Sequence, residues 1–316
     1  QIYISIAASS RGRSWEYRRR VAGPIAYDRE SPPVVFSAEL DEDGNIYLAL
    51  VDSPSETRII VSSDGGQSFS EAATLETQVT SVAPRLFVSS DGGVLLFVNQ
   101  NVGATQSILY SYSADGRQWS SFDEIVTDPE IGFNFLPDHA TLDGRDYVVF
   151  QSVNPNEAPT YQLYLKESTD GGRSWGASQL LSDFQPLEAG DSYLDYDNQR
   201  PFIESVNGNL ALVWERQTGA RTRRIFYADI GPDGGIRGRP ESVSGGLDPA
   251  NYPQIVRHNG RTFVMWFTNP FGSSDIRIAA RVRGLWRSRT LSSISGASTF
   301  SSPIVHRGRL HVFWQN

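Results

Sequence analysis

The chain contains no cysteine, which excludes a disulfide framework and any thiolate metal site. Lysine is almost missing as well: of 28 basic residues, Lys166 is the one lysine. Histidine is limited to His139, His258, His306 and His311. No HExxH or other metal-ligand spacing links them, so neither a metal nor a cofactor is expected. Glycine-rich phosphate loops and the GxSxG nucleophile pattern are absent where they would carry chemistry. No apolar run approaches the roughly 20 residues that span a bilayer, and no membrane insertion is expected. Positive charge is in deficit: 36 acidic residues leave a net charge of −8. That balance argues against a nucleic-acid partner. No convincing amphipathic helix is present.

What the chain does have is turns and short strands. One octad recurs: STDGGRSW at 168–175, SSDGGQSF at 62–69 and a shortened SADGRQW at 113–119. A worn copy, SSRGRSW, stands at 9–15. Gly171 and Gly172 permit the positive φ that a tight turn requires. Asp170 can accept bonds from its own turn, with Ser168 and Ser174 assisting. Trp175 then begins a strand with a large body to bury. The same roles fall to Ser62, Asp64, Gly66 and Phe69, and to Ser113, Asp115, Gly116 and Trp119. A self-capped hairpin explains the motif without any ligand.

A second repeat is more regular. Segments beginning at Pro33, Pro84, Pro137, Pro201, Pro253 and Pro303 each read proline, strand, Gly turn, apolar strand. The second strands are IYLALV, VLLFVN, YVVFQS, LALVWE, TFVMWF and LHVFWQ, rich in β-branched and aromatic residues. A third strand leads into each octad position and a fourth follows it. Four strands in a unit of about 50 residues is the pattern of a β-propeller blade. The expected fold is therefore all-β: one six-bladed β-propeller of four-stranded antiparallel blades over 1–316. The blades fall near 24–76, 77–127, 128–187, 188–243 and 244–293, with 294–316 completed by 1–23. Pairing the N-terminal strands with the C-terminal blade closes the ring and removes free edges.

The octad resembles the Asp box, or BNR repeat, of sialidase-like β-propellers. That resemblance implies a site holding three arginines, an Asp acid/base and a Tyr–Glu nucleophile pair. Ser31 stands where the first arginine is implied, and Arg200 where the Glu is. Arg216 falls where the second arginine stands. Sialidase chemistry is thus not expected.

Topology puts the short uniform turns on one face and the long variable loops on the other, and variable loops on a rigid scaffold usually carry binding. On that second face the ligand-binding candidates are Arg85, Tyr193, Tyr196, Arg200, Glu215, Arg216 and Tyr252. Aromatic faces beside polar forks suit a sugar or peptide. The weak catalytic candidates are Asp138, Asp195, Asp197 and Glu215, since paired carboxylates hydrolyse glycosides when roughly 5–10 Å apart. A solvated rim with ordinary ion pairs is the plain alternative for each residue.

The reading is a non-catalytic module that binds a glycan, peptide or protein partner at the channel mouth. A glycoside hydrolase with a rearranged site, and a structural or assembly domain, are the alternatives. Periplasmic, cell-surface or secreted placement is expected, as is membership of a longer polypeptide, because the chain begins at Gln1 and a strand runs to its end.

Overall fold

The computed structural model describes residues 2–8, 16–25, 36–53, 55–77, 81–102, 105–128, 131–153, 160–182, 197–218, 222–246, 249–268, 273–292 and 298–315. Among them there is no helix, and so none long and apolar enough to cross a membrane. Contacts group the chain into two compact units.

The first unit comprises Gln1–Thr127, Phe133–Phe135 and Ser168–Trp175. Its strands are β1 (Ile2–Ala8), β2 (Glu16–Ile25), β3 (Phe36–Leu40), β4 (Ile46–Ser53), β5 (Glu56–Ser62), β6 (Ser70–Glu76), β7 (Ser81–Val88), β8 (Val94–Val102), β9 (Thr105–Ser113) and β10 (Asp123–Glu124). β1 and β2 form a two-stranded sheet, while β3–β6 and β7–β10 each form an antiparallel four-stranded sheet. The core lies between the sheets: Ala49, Ile59 and Val61 pack with Leu86, Leu96 and Val98.

The second unit holds Asp128–Gly132, Leu136–Glu167 and Gly176–Asn316. Its strands, apart from Phe133–Phe135 of β11 and Ser168 of β13, are β11 (Gly132–Leu142), β12 (Arg145–Val153), β13 (Gln162–Ser168), β14 (Gln179–Leu180), β15 (Asn198–Val206), β16 (Asn209–Gln217), β17 (Arg223–Ile230), β18 (Ile236–Ser242), β19 (Ala250–His258), β20 (Arg261–Thr268), β21 (Ile276–Val282), β22 (Leu285–Thr290), β23 (Thr299–His306) and β24 (Arg309–Gln315). Three four-stranded sheets, β11–β14, β15–β18 and β19–β22, are followed by the two-stranded β23–β24. β16 and β20 are apolar runs buried on both faces, from Leu210 to Trp214 and Val264 to Phe267, as strands sandwiched between neighbouring sheets require. Trp214 packs with Leu163 and Leu165 of one neighbour, and Val213 with Val264 and Trp266 of the other.

The strand pairs and their turns stand where the sequence placed them, but Pro84, Pro137, Pro201, Pro253 and Pro303 lie inside β7, β11, β15, β19 and β23 rather than ahead of them, and Pro33 lies outside the described residues. At Asp143–Gly144, Asn207–Gly208, Asn259–Gly260 and Arg307–Gly308 both residues have positive φ, the geometry that matches the twist of a two-residue hairpin. One expectation is not met among the described residues. β1–β2 and β23–β24 stand as separate two-stranded sheets with no ladder joining them. Each lacks the two strands that would complete it, and Ile304, Val305 and Phe313 of β23–β24 are exposed.

The three octads fold as self-capped turns. Ser168 Oγ donates to Asp170 Oδ1 (2.7 Å), and Asp170 accepts from the Ser174 N–H (3.0 Å) and hydroxyl (2.6 Å). Asp64 is held the same way by Ser62 and Ser68. Asp115 accepts from Ser113 Oγ and the backbone of Arg117 and Gln118. Gly172, at φ 82°, lies against Leu95, and a Cβ there would meet that side chain at 2.7 Å. Trp175 makes edge contacts with Phe97 and Tyr110 at 6.1 and 6.3 Å. Phe69 and Trp119 likewise pack onto the apolar clusters of the first unit. These residues cap turns and lock sheets together.

Candidate binding site at the strand bulges

Four strands with an internal proline share a defect. β7, β15, β19 and β23 each insert one extra residue against their partner, between Val82 and Arg85, Gln199 and Phe202, Asn251 and Gln254, and Thr299 and Ser302. The residues there with left-handed backbone are Ala83 (φ 53°), Arg200 (φ 50°), Tyr252 (φ 50°) and Phe300 (φ 50°). A bulge bends its strand and re-aims a side chain, and bulges concentrate beside functional sites. A non-glycine residue held at such φ costs of order 1 kcal/mol, so the surrounding structure must over-determine it.

In the second unit the bulges align side chains from three strands. The Arg200 guanidinium carbon lies 4.4 Å from the Tyr252 ring centre. Tyr252 meets Phe300 edge-on at 4.9 Å and stacks on Phe267 at 5.5 Å. Phe300 is 52% exposed. The result is a row of cation, half-buried phenol and open aromatic ring.

Beneath the row lies an ion-pair chain. Glu215, fully buried, pairs with Arg200 at 2.7 Å and with Arg223 at 3.6 Å, and its Oε1 accepts the Tyr252 N–H at 2.5 Å. Arg223 continues to Asp197 at 3.1 Å, which also accepts from Gln199 and from the Tyr161 N–H. Burial raises the Glu215 carboxyl above its ordinary value, against the opposing pull of Arg200, the Tyr252 N–H and Arg223. Burial disfavours the Arg200 cation, but the charge of Glu215 outweighs it and raises the guanidinium above its usual value. Glu215 and Asp197 are therefore committed to holding Arg200, Arg223 and the Tyr252 backbone in place.

Of the sequence candidates, the structure gathers Arg200, Glu215, Asp197 and Tyr252. It separates Arg216, because successive strand residues face opposite ways. Glu215 turns toward Arg200, whereas Arg216 lies 5.7 Å over Phe226 in a different cleft. Arg85 belongs to the first unit, over Phe87 at 5.4 Å. Asp138 is buried and accepts the Ile203 N–H at 2.9 Å, tying β11 to β15. Tyr193, Asp195 and Tyr196 lie outside the described residues. The sequence reading missed Arg223 and Phe267; each sits in a strand, away from the loops where candidates were sought. Among the described residues no cluster of three or more metal-ligating side chains occurs.

Comparison with known proteins places this architecture in a class. The four-stranded antiparallel sheets are those of the β-propeller fold, shared with carbohydrate-active enzymes of very low sequence similarity. An ulvan lyase of polysaccharide lyase family PL25 superposes with a TM-score of 0.62 at 9% identity, over 86% of this chain and 74% of its own. The GH93 α-L-arabinofuranosidase of Fusarium graminearum gives 0.59 at 16% identity, over 87% and 85%. The Hadza microbial sialidase Hz136 gives 0.55 at 17% identity over 84% of this chain, which spans only 60% of that sialidase. No protein-family model matches the sequence, and no curated protein is similar to it.

Proposed function

We propose that this chain is a carbohydrate-binding β-propeller module without catalytic activity, and that its sugar rests on the bulge row of Arg200, Tyr252 and Phe300. The observation that carries the reading is the repeated bulge, which spends backbone strain to set a cation and two aromatic rings side by side. The open face of Phe300 suits the apolar face of a sugar ring, and the Arg200 fork suits hydroxyl groups. The solved structures of similar fold include a polysaccharide lyase and an α-L-arabinofuranosidase, which supports this ligand class. An active glycosidase needs a carboxyl group that can reach its substrate, and Glu215 is sealed by two arginines and a backbone N–H.

The finer architecture proposed with it is a six-bladed β-propeller of four-stranded antiparallel blades. Export or surface display, within a longer polypeptide, fits a glycan or protein partner outside the cell.

Phe300→Ala provides the test, because the residue is half open and alanine retains its backbone constraints. On a glycan array, hits for the unaltered protein should weaken at least tenfold in the variant at unchanged melting temperature. Full binding in the variant overturns the placement. No binding to any glycan by either protein overturns the carbohydrate reading. The second reading, a glycoside hydrolase, draws on Asp197 and Glu215 sharing Arg223. Turnover of aryl glycosides that is lost in Asp197→Asn would establish it over the first.

A further inference from the structure

Charge is divided along the chain. Residues 249–316 hold nine arginines and one carboxylate, Asp275, a net charge of +8. The whole chain carries −8, so the first 248 residues carry −16. Eight of the nine arginines are exposed, and Arg277 is half-buried. Among the described residues Arg281 is the one of the nine in an ion pair, with Glu241 of β18.

The fold brings most of this charge to one end of the sheets. Antiparallel order puts the β19–β20 and β21–β22 turns at the same end, two strand spacings or about 10 Å apart. The starts of β19 and β23 meet through Tyr252 and Phe300, and the two strands pack on each other, which brings the β23–β24 turn to that end as well. Arg257 and Arg261 flank the first turn, Arg281 and Arg283 stand at the second, and Arg307 and Arg309 at the third. Two carboxylates of the neighbouring sheet border them. Asp229 accepts from the Tyr227 hydroxyl, and Glu241 from Arg281 and Trp286 Nε1.

Turn chemistry does not ask for these arginines. The left-handed first position of the two-residue turn is filled by Asp143, Asn207 and Asn259 in three hairpins, residue types that tolerate it. In the last two it is filled by Arg283 (φ 52°) and Arg307 (φ 49°). An arginine there costs of order 1 kcal/mol, and such strain points to a role outside the turn. The exposed large apolar residues beside these turns are aliphatic: Val282, Leu285, Ile304 and Val305. Among the described residues, then, no open aromatic face stands here for nucleic-acid bases to stack on.

We propose that this cationic turn end, centred on Arg261, Arg283, Arg307 and Arg309, binds an extended anionic polysaccharide whose carboxylate or sulfate groups engage several guanidinium groups at once. Arginine forks match the paired oxygens of such anions, and charge-assisted bonds are the stronger ones. The spacing of about 10 Å between turns suits charges held apart by sugar rings. This rests on the carbohydrate reading above but uses the opposite end of β19 and β23 from the bulge row.

The test is titration of the whole chain, at low and at moderate salt, with polygalacturonate, dextran sulfate and neutral dextran. The unaltered protein is compared with Arg283→Asn/Arg307→Asn, Arg257→Gln/Arg261→Gln and Phe300→Ala. At least one anionic polymer should bind about tenfold or more tightly than dextran, and its affinity should fall as salt rises. The preferred polymer identifies carboxylate or sulfate as the group. Each arginine double variant should weaken that binding about tenfold, and Phe300→Ala should leave it intact. Asparagine suits a left-handed turn, so Arg283→Asn/Arg307→Asn should melt no lower than the unaltered protein, which separates lost binding from lost folding. Equal affinity for anionic and neutral polymers, or full anionic binding in either double variant, overturns the inference while leaving the bulge site untouched. A DNA duplex or polyglutamate binding more tightly than both anionic polysaccharides would overturn the ligand class. Anionic binding retained by a protein with no neutral-glycan hits overturns the bulge-row reading and leaves this one standing.

Discussion

Arg200 stacks on Tyr252 because both are bulge residues of neighbouring strands, each held at φ 50° beside a proline. The guanidinium 4.4 Å from the ring is joined to the same ring's backbone through Glu215, whose two oxygens take the Arg200 side chain and the Tyr252 N–H. Backbone strain and a buried charge are thus coupled at one point.

That coupling makes Arg200 a stability residue as well as a candidate contact. Arg200→Ala leaves Glu215 buried with Arg223 and the Tyr252 N–H as its remaining partners. The expected loss is about 3 kcal/mol, the lower edge of the range for breaking a buried pair, because Arg223 and the Tyr252 N–H remain. Adding Glu215→Gln to Arg200→Ala should recover part of it. Chemical denaturation of the unaltered protein and the two variants checks this, and a double variant no more stable than Arg200→Ala would refute it.

Glu204 gives a pH signature. Burial, and then the charge of Asp138, push its carboxyl up to about 7. Below about 4.5 it is protonated in both folded and unfolded chains and adds no pH dependence. As pH rises from there to about 7 the folded state holds more protons than the unfolded, so stability falls, and the cost persists above. Glu204→Gln should raise the melting temperature at pH 8 and change it little at pH 4. Equal shifts at the two pH values would show that Glu204 is not the cause.

The octad turn behaves oppositely. Partial burial works against the Asp170 carboxylate, but the Ser174 hydroxyl, the Ser174 N–H and Ser168 outweigh it and hold the group at about 2. Its stabilisation is full above the ordinary carboxyl range and is lost as pH falls toward 2. Asp170→Ala should cost about 1–2 kcal/mol at pH 7. The gap from the unaltered protein should narrow near pH 2, which thermal melts at both pH values would reveal.

Ala83 marks the one bulge with a small side chain and left-handed backbone in the first unit. Ala83→Gly relieves the Cβ clash but loosens the unfolded chain, so a gain of up to about 1 kcal/mol is expected. A measurable loss of stability would mean that the bulge is not strained.

Much of this was written locally. The Asn-Gly and Asp-Gly turns and the apolar runs such as LALVWE carry their own geometry, and the described strand pairs formed around them, whereas the prolines mark places inside strands rather than strand starts. The separation of Glu215 from Arg216 was equally legible, since alternation along a strand sends neighbours to opposite faces. Grouping candidates by loop concealed it. Arg223 and Phe267 had no local mark, because their roles arise only where β17 and β20 pass the bulges.

The sequence alone determined the strand pairs, their turns and the self-capped octads, because these depend on backbone preferences within a few residues. Tertiary structure alone decided that Arg200, Tyr252 and Phe300 form one row, and that Glu215 serves as their brace. Those relationships join strands far apart in the chain, and only the packing of sheet against sheet brings the charges and rings within reach of one another.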